Sequence, residues 1–268
     1  MTGNGLAVVH DADAVPEAVM HAIARETRLS ETSFVQTPDA DGADYRHRIW
    51  MPSGEIPFAG HPSLGTAAAF ALARGEARAT YVQQTQAGLQ PIDVELEDRL
   101  ARVSMLQEPA AFGAELDPEE VLSTVGLEGD DADPQLPAQV VSTGVEQLLV
   151  QVRSASALPG LLPDYDRIGS LLREHGALVL YVSAVDVEAG TAHARSFSPA
   201  IGEDPATGSA VGPLCAHVAE RTGVTALDVV QGEEMRRPSR LRASLDGDRV
   251  RVGGDAVVVL EGTVHLDD

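Results

Sequence analysis

The hexapeptide PSLGTA at residues 62–67 returns as PATGSA at residues 205–210, 143 positions further along the chain. Both copies fit the pattern P-x-x-G-[S/T]-A. A longer match lies upstream, with RIWMP at 48–52 before the first copy and RSFSP at 195–199 before the second. Both of these fit R-x-aromatic-x-P, which is typical of a strand that ends at a proline. The matches keep their order while the loops between them differ in length.

An apolar helix pattern follows each hexapeptide. The first reads GTAAAFALARG (65–75) and the second GSAVGPLCAHVAERTG (208–223), each with a glycine as its stop signal. Small and apolar residues occur all round both patterns, which predicts two nearly buried helices. A hairpin pattern comes next in each half, IDVELEDRLARVSM (92–105) and LRASLDGDRVRVGG (241–254).

The repeated order of strand, proline-containing loop, buried helix and hairpin predicts two homologous domains. We place the two domains at residues 1–115 and 116–268. This division allows the last strand of the chain to return to the first domain. Asp117-Pro118 near the division is a helix-start signal. The predicted fold class is α+β, each domain being a sheet wrapped around a central helix. A cleft between two related domains is a preferred place for a small-molecule active site.

Further elements follow from periodicity and residue type. We predict helices over PEAVMHAIARETRLS (16–30) and YDRIGSLLREHG (165–176). The predicted strands are TSFVQT (32–37), AQVVST (138–143), QLLVQV (147–152), ALVLYVSA (177–184) and AVVVLEGTV (256–264).

The composition excludes several classes of protein. A formal net charge of −22 argues against a nucleic-acid partner, since such proteins cluster Lys and Arg. The most apolar stretch, TAAAFALA at 66–73, is too short to span a membrane, and the start of the chain has no secretory-signal pattern. The single cysteine, Cys215, leaves no internal disulfide framework, as in a reducing compartment. We therefore expect a cytoplasmic protein.

The two helix openings, at 60–62 and 204–209, are the first candidates for a site. Main-chain N–H groups at a helix start lack partners, and the helix dipole adds partial positive charge there. Two such openings facing one cleft would hold a carboxylate or stabilise a developing enolate without a metal. From the residues alone, ordinary loop and capping roles for the glycines and serine stay an alternative.

Familiar cofactor motifs do not occur. The chain has neither G-x-G-x-x-G after a strand nor G-x-x-x-x-G-K-[S/T], so dinucleotide and P-loop chemistry have no support. The histidines show no metal-ligand spacing, and we predict no metal and no cofactor. Cys215 lies inside an apolar helix, where a core role is favoured over a nucleophilic one. With these classes of chemistry excluded, the remaining possibility is acid–base chemistry by Glu, Asp and His side chains.

Five segments together resemble the PhzF family of phenazine-biosynthesis-like isomerases, which shares the duplicated fold of diaminopimelate epimerase. The resemblance extends over nearly the whole chain. The segments are LSETSFV (29–35), PFAGHPSLGTA (57–67), VSTGVEQLLV (141–150), EDPATGSAVGPL (203–214) and QGEEMRRPSRL (231–241).

The resemblance implies three catalytic residues. The glutamate of S-E-T is Glu31, the histidine of G-H-P is His61, and the aspartate of E-D-P is Asp204. From the residues alone, an exposed loop position is the favoured interpretation of Glu31. For Asp204 a helix cap, and for His61 a loop histidine bonded to the backbone, are equal alternatives. A buried carboxyl with a pKa near the working pH would suit Glu31 as a base.

The resemblance also implies a substrate-binding set formed by Ser209 and the amides around Gly60 and Gly208. Epimerase and racemase relatives use a cysteine pair at the two helix openings. Neither opening of this chain contains cysteine, so a thiol mechanism is not expected.

The implied activity is a cofactor-free isomerisation in which Glu31 removes a proton from a small unsaturated carboxylate and returns it at another carbon. The implied substrate is trans-2,3-dihydro-3-hydroxyanthranilate, and the implied assembly is a homodimer. An isomerase or epimerase acting on another small carboxylate is one alternative, and a non-catalytic ligand-binding protein on the same fold is another.

Two positions depart from the family pattern. The chain reads TGNGLAVV at 2–9, with Gly5 where a proline is expected and without most of the preceding strand, so the first domain is expected to lack an edge strand or to start upstream. Arg236 stands where glycine is expected, and the sequence leaves open whether it faces an acidic substrate or an exposed loop.

Overall fold

The computed structural model describes residues 2–266, which form five α-helices and sixteen strands. The helices are α1 (Glu17–Thr27), α2 (Gly60–Arg74), α3 (Pro118–Leu122), α4 (Tyr165–His175) and α5 (Gly208–Thr222). The strands of the N-terminal half are β1 (Leu6–Val9), β2 (Glu31–Gln36), β3 (Tyr45–Met51), β4 (Gly54–Ile56), β5 (Arg78–Thr85), β6 (Gly88–Glu97) and β7 (Leu100–Leu106). Those that follow are β8 (Ala111–Glu115), β9 (Gln139–Ser142), β10 (Glu146–Gln151), β11 (Leu180–Asp186), β12 (Thr191–Ser198), β13 (Gly202–Asp204), β14 (Ala226–Gln231), β15 (Ser239–Asp246) and β16 (Arg249–Val257).

One helix of each half packs inside the curve of its strands, as the apolar patterns predict. In α2 the buried face is made of small residues such as Ala67, Ala68 and Ala71, which pack with buried residues of β3 and β5–β7. In α5 nearly every residue from Gly208 to Val218 is buried, against β9, β11, β12 and β14–β16. Small side chains let a helix lie close to a strongly curved sheet, because curvature leaves little space inside. The predicted α+β fold of two sheet-wrapped helices is confirmed.

Strand β16 joins the two halves. It pairs antiparallel with β15 of its own half and with β7 of the N-terminal half, with Val252 opposite Met105 in the second pairing. The sheet therefore continues without a break from the edge strand β1, through β7 and β16, to the edge strand β8. The division between residues 115 and 116 stays a prediction; strand pairing favours a slightly earlier point, because β8 pairs with β9.

The structure corrects the register of the repeat. Helices α2 and α5 are each 15 residues long and begin at Gly60 and Gly208, an offset of 148 residues rather than 143. The hexapeptides are therefore not structurally equivalent, since 62–67 lies inside α2 whereas 205–210 spans the start of α5. The equivalent segments are GEIPFAG (54–60) and GEDPATG (202–208), each a short strand followed by a helix opening. Chance similarity of small residues produced the five-residue shift.

An ion pair just before each helix also repeats. Arg48 binds both carboxylate oxygens of Glu55 at 2.6 Å, and Arg195 binds both of Glu203 at 2.8 Å. Each guanidinium lies over the aromatic ring two residues further on, at 5.5 Å and 5.0 Å from the ring centroid. The two R-x-aromatic-x-P motifs thus supply a bidentate clamp that ties β3 to β4 and β12 to β13.

Most of the other predicted elements are present, with shifted ends. Helix α1 stops at Thr27, three residues before the predicted end, because Arg28 adopts a left-handed conformation (φ 53°). The predicted strand over 256–264 is wrong beyond Val257. Its neighbour β7 begins at Leu100, which pairs with Val257, and residues 258–266 have no regular structure. Aliphatic side chains there, such as Leu260 at 84% exposure, have no strand to pack beside.

None of the helices formed by residues 2–266 is both long and apolar enough to cross a membrane.

Candidate active site

The starts of α2 and α5 meet at the junction of the two halves. A side-chain carbon placed on Gly60 would lie 3.6 Å from the main-chain nitrogen of Ser209 and 4.0 Å from the carbonyl carbon of Gly208. These are ordinary van der Waals distances, so the two helix openings lie directly beside each other. Because the first N–H groups of a helix lack partners within the helix, two openings this close together are suited to bind an anionic group. The three predicted binding residues lie together, and their binding role stays a prediction.

Glu31 is the first residue of β2 and is buried, with 8% of the residue exposed. The exposed-loop alternative is therefore wrong. Burial raises the pKa of Glu31 to about 7; a hydrogen bond from Ser30 opposes the rise and the nearby charge of Asp204 adds to it. Near neutral pH this carboxyl exists in both protonation states, as a group that accepts and returns a proton requires.

His61 is the second residue of α2, and its imidazole faces Glu31. The distance from His61 Nε2 to Glu31 Oε2 is 3.4 Å. Within the part of the chain that the structure describes, neither of these two buried atoms has a hydrogen-bond partner. Burial lowers the pKa of His61 to about 4, against the raising effect of the main chain of Gly5, so the ring is neutral at pH 7. Two unsatisfied groups facing each other are unusual in a folded protein and favour a site that a ligand completes.

Asp204 ends β13 and approaches the junction from the C-terminal half. Its carboxylate accepts hydrogen bonds from Thr207 Oγ1 at 2.5 Å and from Asn4 Nδ2 at 2.8 Å. Burial raises the pKa of Asp204 to about 6, although these two bonds and one from the main-chain N–H of Ala206 lower it. In contrast to Glu31, this carboxylate is held by several donors.

Gln231 of β14 fixes the loop that carries Asp204. Its amide donates to the Asp204 main-chain oxygen at 2.7 Å and to Thr207 Oγ1 at 2.9 Å. Its oxygen accepts from the Thr207 main-chain N–H at 3.2 Å and from the hydroxyl of Tyr181 at 2.9 Å. A fully bonded, buried amide of this kind holds the α5 opening in one conformation.

A second buried amide crosses between the halves. Gln107, directly after β7, donates to the Gly208 carbonyl at 3.0 Å and accepts from the hydroxyl of Thr143 at 2.6 Å. A side chain on Gly212 would collide with Gln107, so a glycine is required at that turn of α5. The relative position of the two helix openings is therefore fixed by N-terminal and C-terminal residues together.

The sequence interpretation missed three residues of this site: Asn4, Thr207 and Gln231. Thr207 and Gln231 lie within the segments 203–214 and 231–241 that carry the family resemblance, but nothing in the sequence assigns either residue a role. Asn4 carries one, because it is the only asparagine in the 268 residues. It lies 57 positions from His61 and 200 from Asp204, yet its side chain contacts both.

Two other features lie apart from the site. Cys215 is fully buried in α5 with a pKa raised to about 11 by that burial, which agrees with the predicted core role. Among the described residues, Glu120, Glu174 and His175 on α3 and α4 bring three potential metal-ligand atoms within 4.8 Å of one another, and Glu120 and Glu174 are exposed. A cleft of about 830 Å³, lined by β5–β7 and β14–β16, contains none of the predicted site residues.

The chain matches known proteins along nearly its whole length. The profile of the PhzC-PhzF family, described as phenazine biosynthesis-like protein, matches residues 1–262. The trans-2,3-dihydro-3-hydroxyanthranilate isomerase of Pseudomonas aeruginosa is 35% identical in an alignment 281 positions long, gaps included, which covers 99% of this chain and 95% of that protein.

Two solved structures illustrate the range of structural similarity. A phenazine biosynthesis protein of the PhzF family from Bacillus anthracis has a TM-score of 0.83 at 29% identity, over 96% of this chain and 92% of that one. A hydroxyproline epimerase from Agrobacterium vitis, at 14% identity and a TM-score of 0.62, covers 92% of this chain and 79% of that one. The second likeness concerns the fold alone.

Proposed function

The chain belongs to the PhzC-PhzF family of phenazine biosynthesis-like proteins and is an isomerase, and on this premise we propose that Glu31 is the base that moves the proton. The observation that carries the proposal is the facing pair of Glu31 and His61. A buried carboxyl with a pKa of about 7 and a neutral imidazole meet at 3.4 Å, each with an unpartnered atom, where two helix openings converge.

The proposed reaction needs no group beyond these side chains. Ionised Glu31 takes a proton from an allylic carbon of the substrate, and the electron pair of that C–H bond spreads over the unsaturated system. The same carboxyl then returns the proton at a different carbon, so that the double bond shifts with no net change of oxidation state. A carboxyl whose pKa lies near the working pH performs both steps with small driving-force penalties.

The helix openings would stabilise the charged intermediate. Main-chain N–H groups around Gly60 and Gly208, together with the hydroxyl of Ser209, would bind the substrate carboxylate or a developing enolate. Because these dipoles are held in place by buried hydrogen bonds, little reorganisation is needed as charge develops. Asp204 would act from the opposite half as an anchored partner for a polar group of the substrate.

We propose trans-2,3-dihydro-3-hydroxyanthranilate as the substrate, on the strength of the Pseudomonas aeruginosa relative that bears its name. We also propose that the enzyme acts in the cytoplasm as a homodimer and without a cofactor. Size-exclusion chromatography with light scattering tests the dimer, and turnover after exhaustive treatment with chelator and desalting tests cofactor independence. Persistent activity of a treated dimer is the expected result.

A related isomerase or epimerase activity on another small carboxylate remains the second candidate. The close meeting of two helix openings favours it, because they would bind any small carboxylate rather than one particular ring. A thiol mechanism is not available to either candidate, since the single cysteine is buried within α5.

The deciding experiment is an NMR time course with trans-2,3-dihydro-3-hydroxyanthranilate in D₂O. We expect the native protein to consume the substrate signals and to introduce deuterium into the ring. Glu31→Gln should do neither while still binding the substrate in a titration. Glu26→Gln, the same change at an exposed position of α1, is the matched control and should behave like the native protein.

The possible outcomes separate the candidates. If the native protein leaves this substrate unchanged but exchanges protons of other unsaturated carboxylates, the second candidate is correct. Binding without any exchange, across a panel of such carboxylates, would instead identify a ligand-binding protein. Full activity in Glu31→Gln would remove Glu31 from the mechanism.

A further inference from the structure

Asn4 lies outside both helix-opening motifs, yet its side chain joins the two halves of the site. We propose that Asn4 is a positioning residue whose amide holds Asp204 and sets the tautomer of His61, so that the Nε2–H of the ring faces Glu31. The effect on catalysis rests on the proposed function, whereas the effect on the tautomer does not.

The segment before β1 places Asn4 between the halves. The Gly3 N–H donates to the Pro238 carbonyl at 3.2 Å, and Arg237 Nε donates to the Gly3 carbonyl at 2.7 Å, so this segment is bound to the C-terminal half. Directly afterwards the chain enters the N-terminal sheet, where Leu6 pairs with Glu31. Asn4 therefore lies at the point where the chain passes from one half to the other.

The hydrogen bonds of Asn4 fix the orientation of its amide. Its Nδ2 donates to Asp204 Oδ1 at 2.8 Å and lies 3.3 Å from His61 Nδ1, while its oxygen is 3.4 Å from the hydroxyl of Ser30. A carboxylate can only accept, so the nitrogen must face Asp204, and this leaves the amide oxygen on the side of Ser30. Both hydrogens of the amide nitrogen are then used, one for each half of the site.

The same contact determines where the proton of His61 lies. An amide nitrogen can only donate, so Nδ1 of the ring must accept and the single proton of the neutral ring belongs on Nε2. The Nε2–H then lies on the side of the ring that faces Glu31, with Nε2 3.4 Å from Glu31 Oε2 and no hydrogen bond between the two atoms. The titratable groups facing the ring are Glu31 directly and Asp204 through Asn4, and both are acidic, so neither displaces the proton from Nε2.

Gly5 provides the competing contact. The main chain of Gly5 raises the pKa of His61, as a carbonyl that accepts a hydrogen bond from the ring does, and it therefore competes with the Asn4 amide for the ring. In the absence of the Asn4 amide, this carbonyl would draw the proton to Nδ1. The lone pair of Nε2 would then face Glu31 and hold its proton, leaving less of the ionised base.

Nitrogen-15 NMR of histidine-labelled protein at pH 7.5, without ligand, tests the tautomer directly. The shifts of the two ring nitrogens report which one is protonated, and the His61→Gln spectrum identifies the signals of His61. We expect Nε2–H in the native protein and a proton moved to Nδ1 in Asn4→Ala. A native Nδ1–H tautomer, or an unchanged tautomer in Asn4→Ala, would overturn the proposal.

Kinetics of Asn4 variants test the catalytic consequence. Asn4→Asp keeps the shape of the side chain but loses both donors, so kcat should fall at least 10-fold in Asn4→Asp and in Asn4→Ala, with a smaller change in KM. Gln36→Ala is the matched control, because it also removes an amide bond to the N-terminal segment, at Ala12, and should leave kcat unchanged. Native kcat in Asn4→Asp would show that only packing matters and would overturn the positioning role.

If the native protein turns over no substrate, the proposed function fails, and the NMR result still decides the tautomer.

Discussion

The two helix openings are built on one plan but hold their carboxyl groups at different positions. In the strand pairing, Glu31 at the start of β2 corresponds to Val179 just before β11, and Ile56 at the end of β4 corresponds to Asp204 at the end of β13. Each half therefore supplies one acid and one apolar residue, at exchanged positions. A symmetric pair of openings would bring like carboxyls together, whereas this arrangement brings together two acids with different surroundings.

The surroundings differ in how fully the acids are hydrogen-bonded. Asp204 is bonded by Thr207 and Asn4 on the carboxylate, which favours its ionised form. Glu31 keeps a buried oxygen without a partner among the described residues, opposite His61. A group that is fully bonded is held in place, and a group that is incompletely bonded can change protonation state at small cost. In the proposed mechanism, the C-terminal opening anchors the substrate and the N-terminal opening transfers the proton.

The largest expected effect is the loss of turnover in Glu31→Gln. Because the amide cannot take up a proton, the rate of deuterium incorporation should fall by about 10³- to 10⁴-fold. The equivalent position in the other half gives the contrast. Val179→Ala should keep activity within a few-fold and lower only the free energy of unfolding, by about 1–2 kcal/mol. Equal losses of turnover in the two variants would show that Glu31 has no role that the equivalent position of the other half lacks.

The duplicated clamps should differ in stability. Glu203→Ala leaves the buried guanidinium of Arg195 without a carboxylate and should lower the free energy of unfolding by about 3 kcal/mol. Glu55→Ala should cost less, about 2 kcal/mol, because Arg48 keeps Glu17 at 2.8 Å as a second partner. Urea denaturation of both variants measures the difference, and a larger loss in Glu55→Ala would contradict it.

Removing the charge of Glu31 should stabilise the protein at alkaline pH. The folded-state pKa of about 7 lies above the ordinary value of 4.5, so the native protein loses stability as pH rises from 4.5 through 7. Glu31→Gln is neutral throughout and escapes this loss. We expect a gain of up to about 3 kcal/mol at pH 8 and none below pH 4.5, measured by denaturation at each pH. A gain that is independent of pH would show that Glu31 is not the titrating group.

Asp204→Asn should reduce kcat/KM and move its pH dependence. Misplacement of the anchored partner should cost on the order of 10²-fold. The negative charge of Asp204 raises the pKa of Glu31, so its removal lowers that pKa, and the rising limb of kcat/KM, centred near pH 7 in the native protein, should move to lower pH. A limb that stays in place would show that the two carboxyls are not coupled.

The smallest effect concerns the loops that join the hairpins of the two halves. The β5–β6 turn has Gly88 at positive φ, whereas the β14–β15 loop has the exposed Arg236 at φ 56°. This conformation suits glycine, which explains why glycine was expected at that position. Arg236→Gly should raise the free energy of unfolding by about 0.5–1 kcal/mol and leave turnover unchanged. Reduced turnover would instead assign Arg236 a part in substrate binding.

The sequence was sufficient where local chemistry decides the structure. Small residues predicted the two buried helices, and glycine, proline and aspartate predicted their ends and the hairpin turns. It failed where pairing decides: the register of the repeat was wrong by five residues, because similar letters at 62–67 and 205–210 do not carry the strand contacts that define equivalence. The strand predicted over 256–264 failed for a related reason, since a suitable sequence forms no strand without a neighbour to pair with.

The same distinction between local and tertiary information applies to the candidate active site. The sequence by itself determined which residues open each helix, and through motif resemblance it indicated Glu31, His61 and Asp204 as chemical groups. Only the tertiary structure decided that Glu31 is buried with a pKa of about 7, and that Asn4 reaches across 200 positions to Asp204. The physical reason is that desolvation and hydrogen bonding act through space, from atoms that the linear order of the chain places far apart.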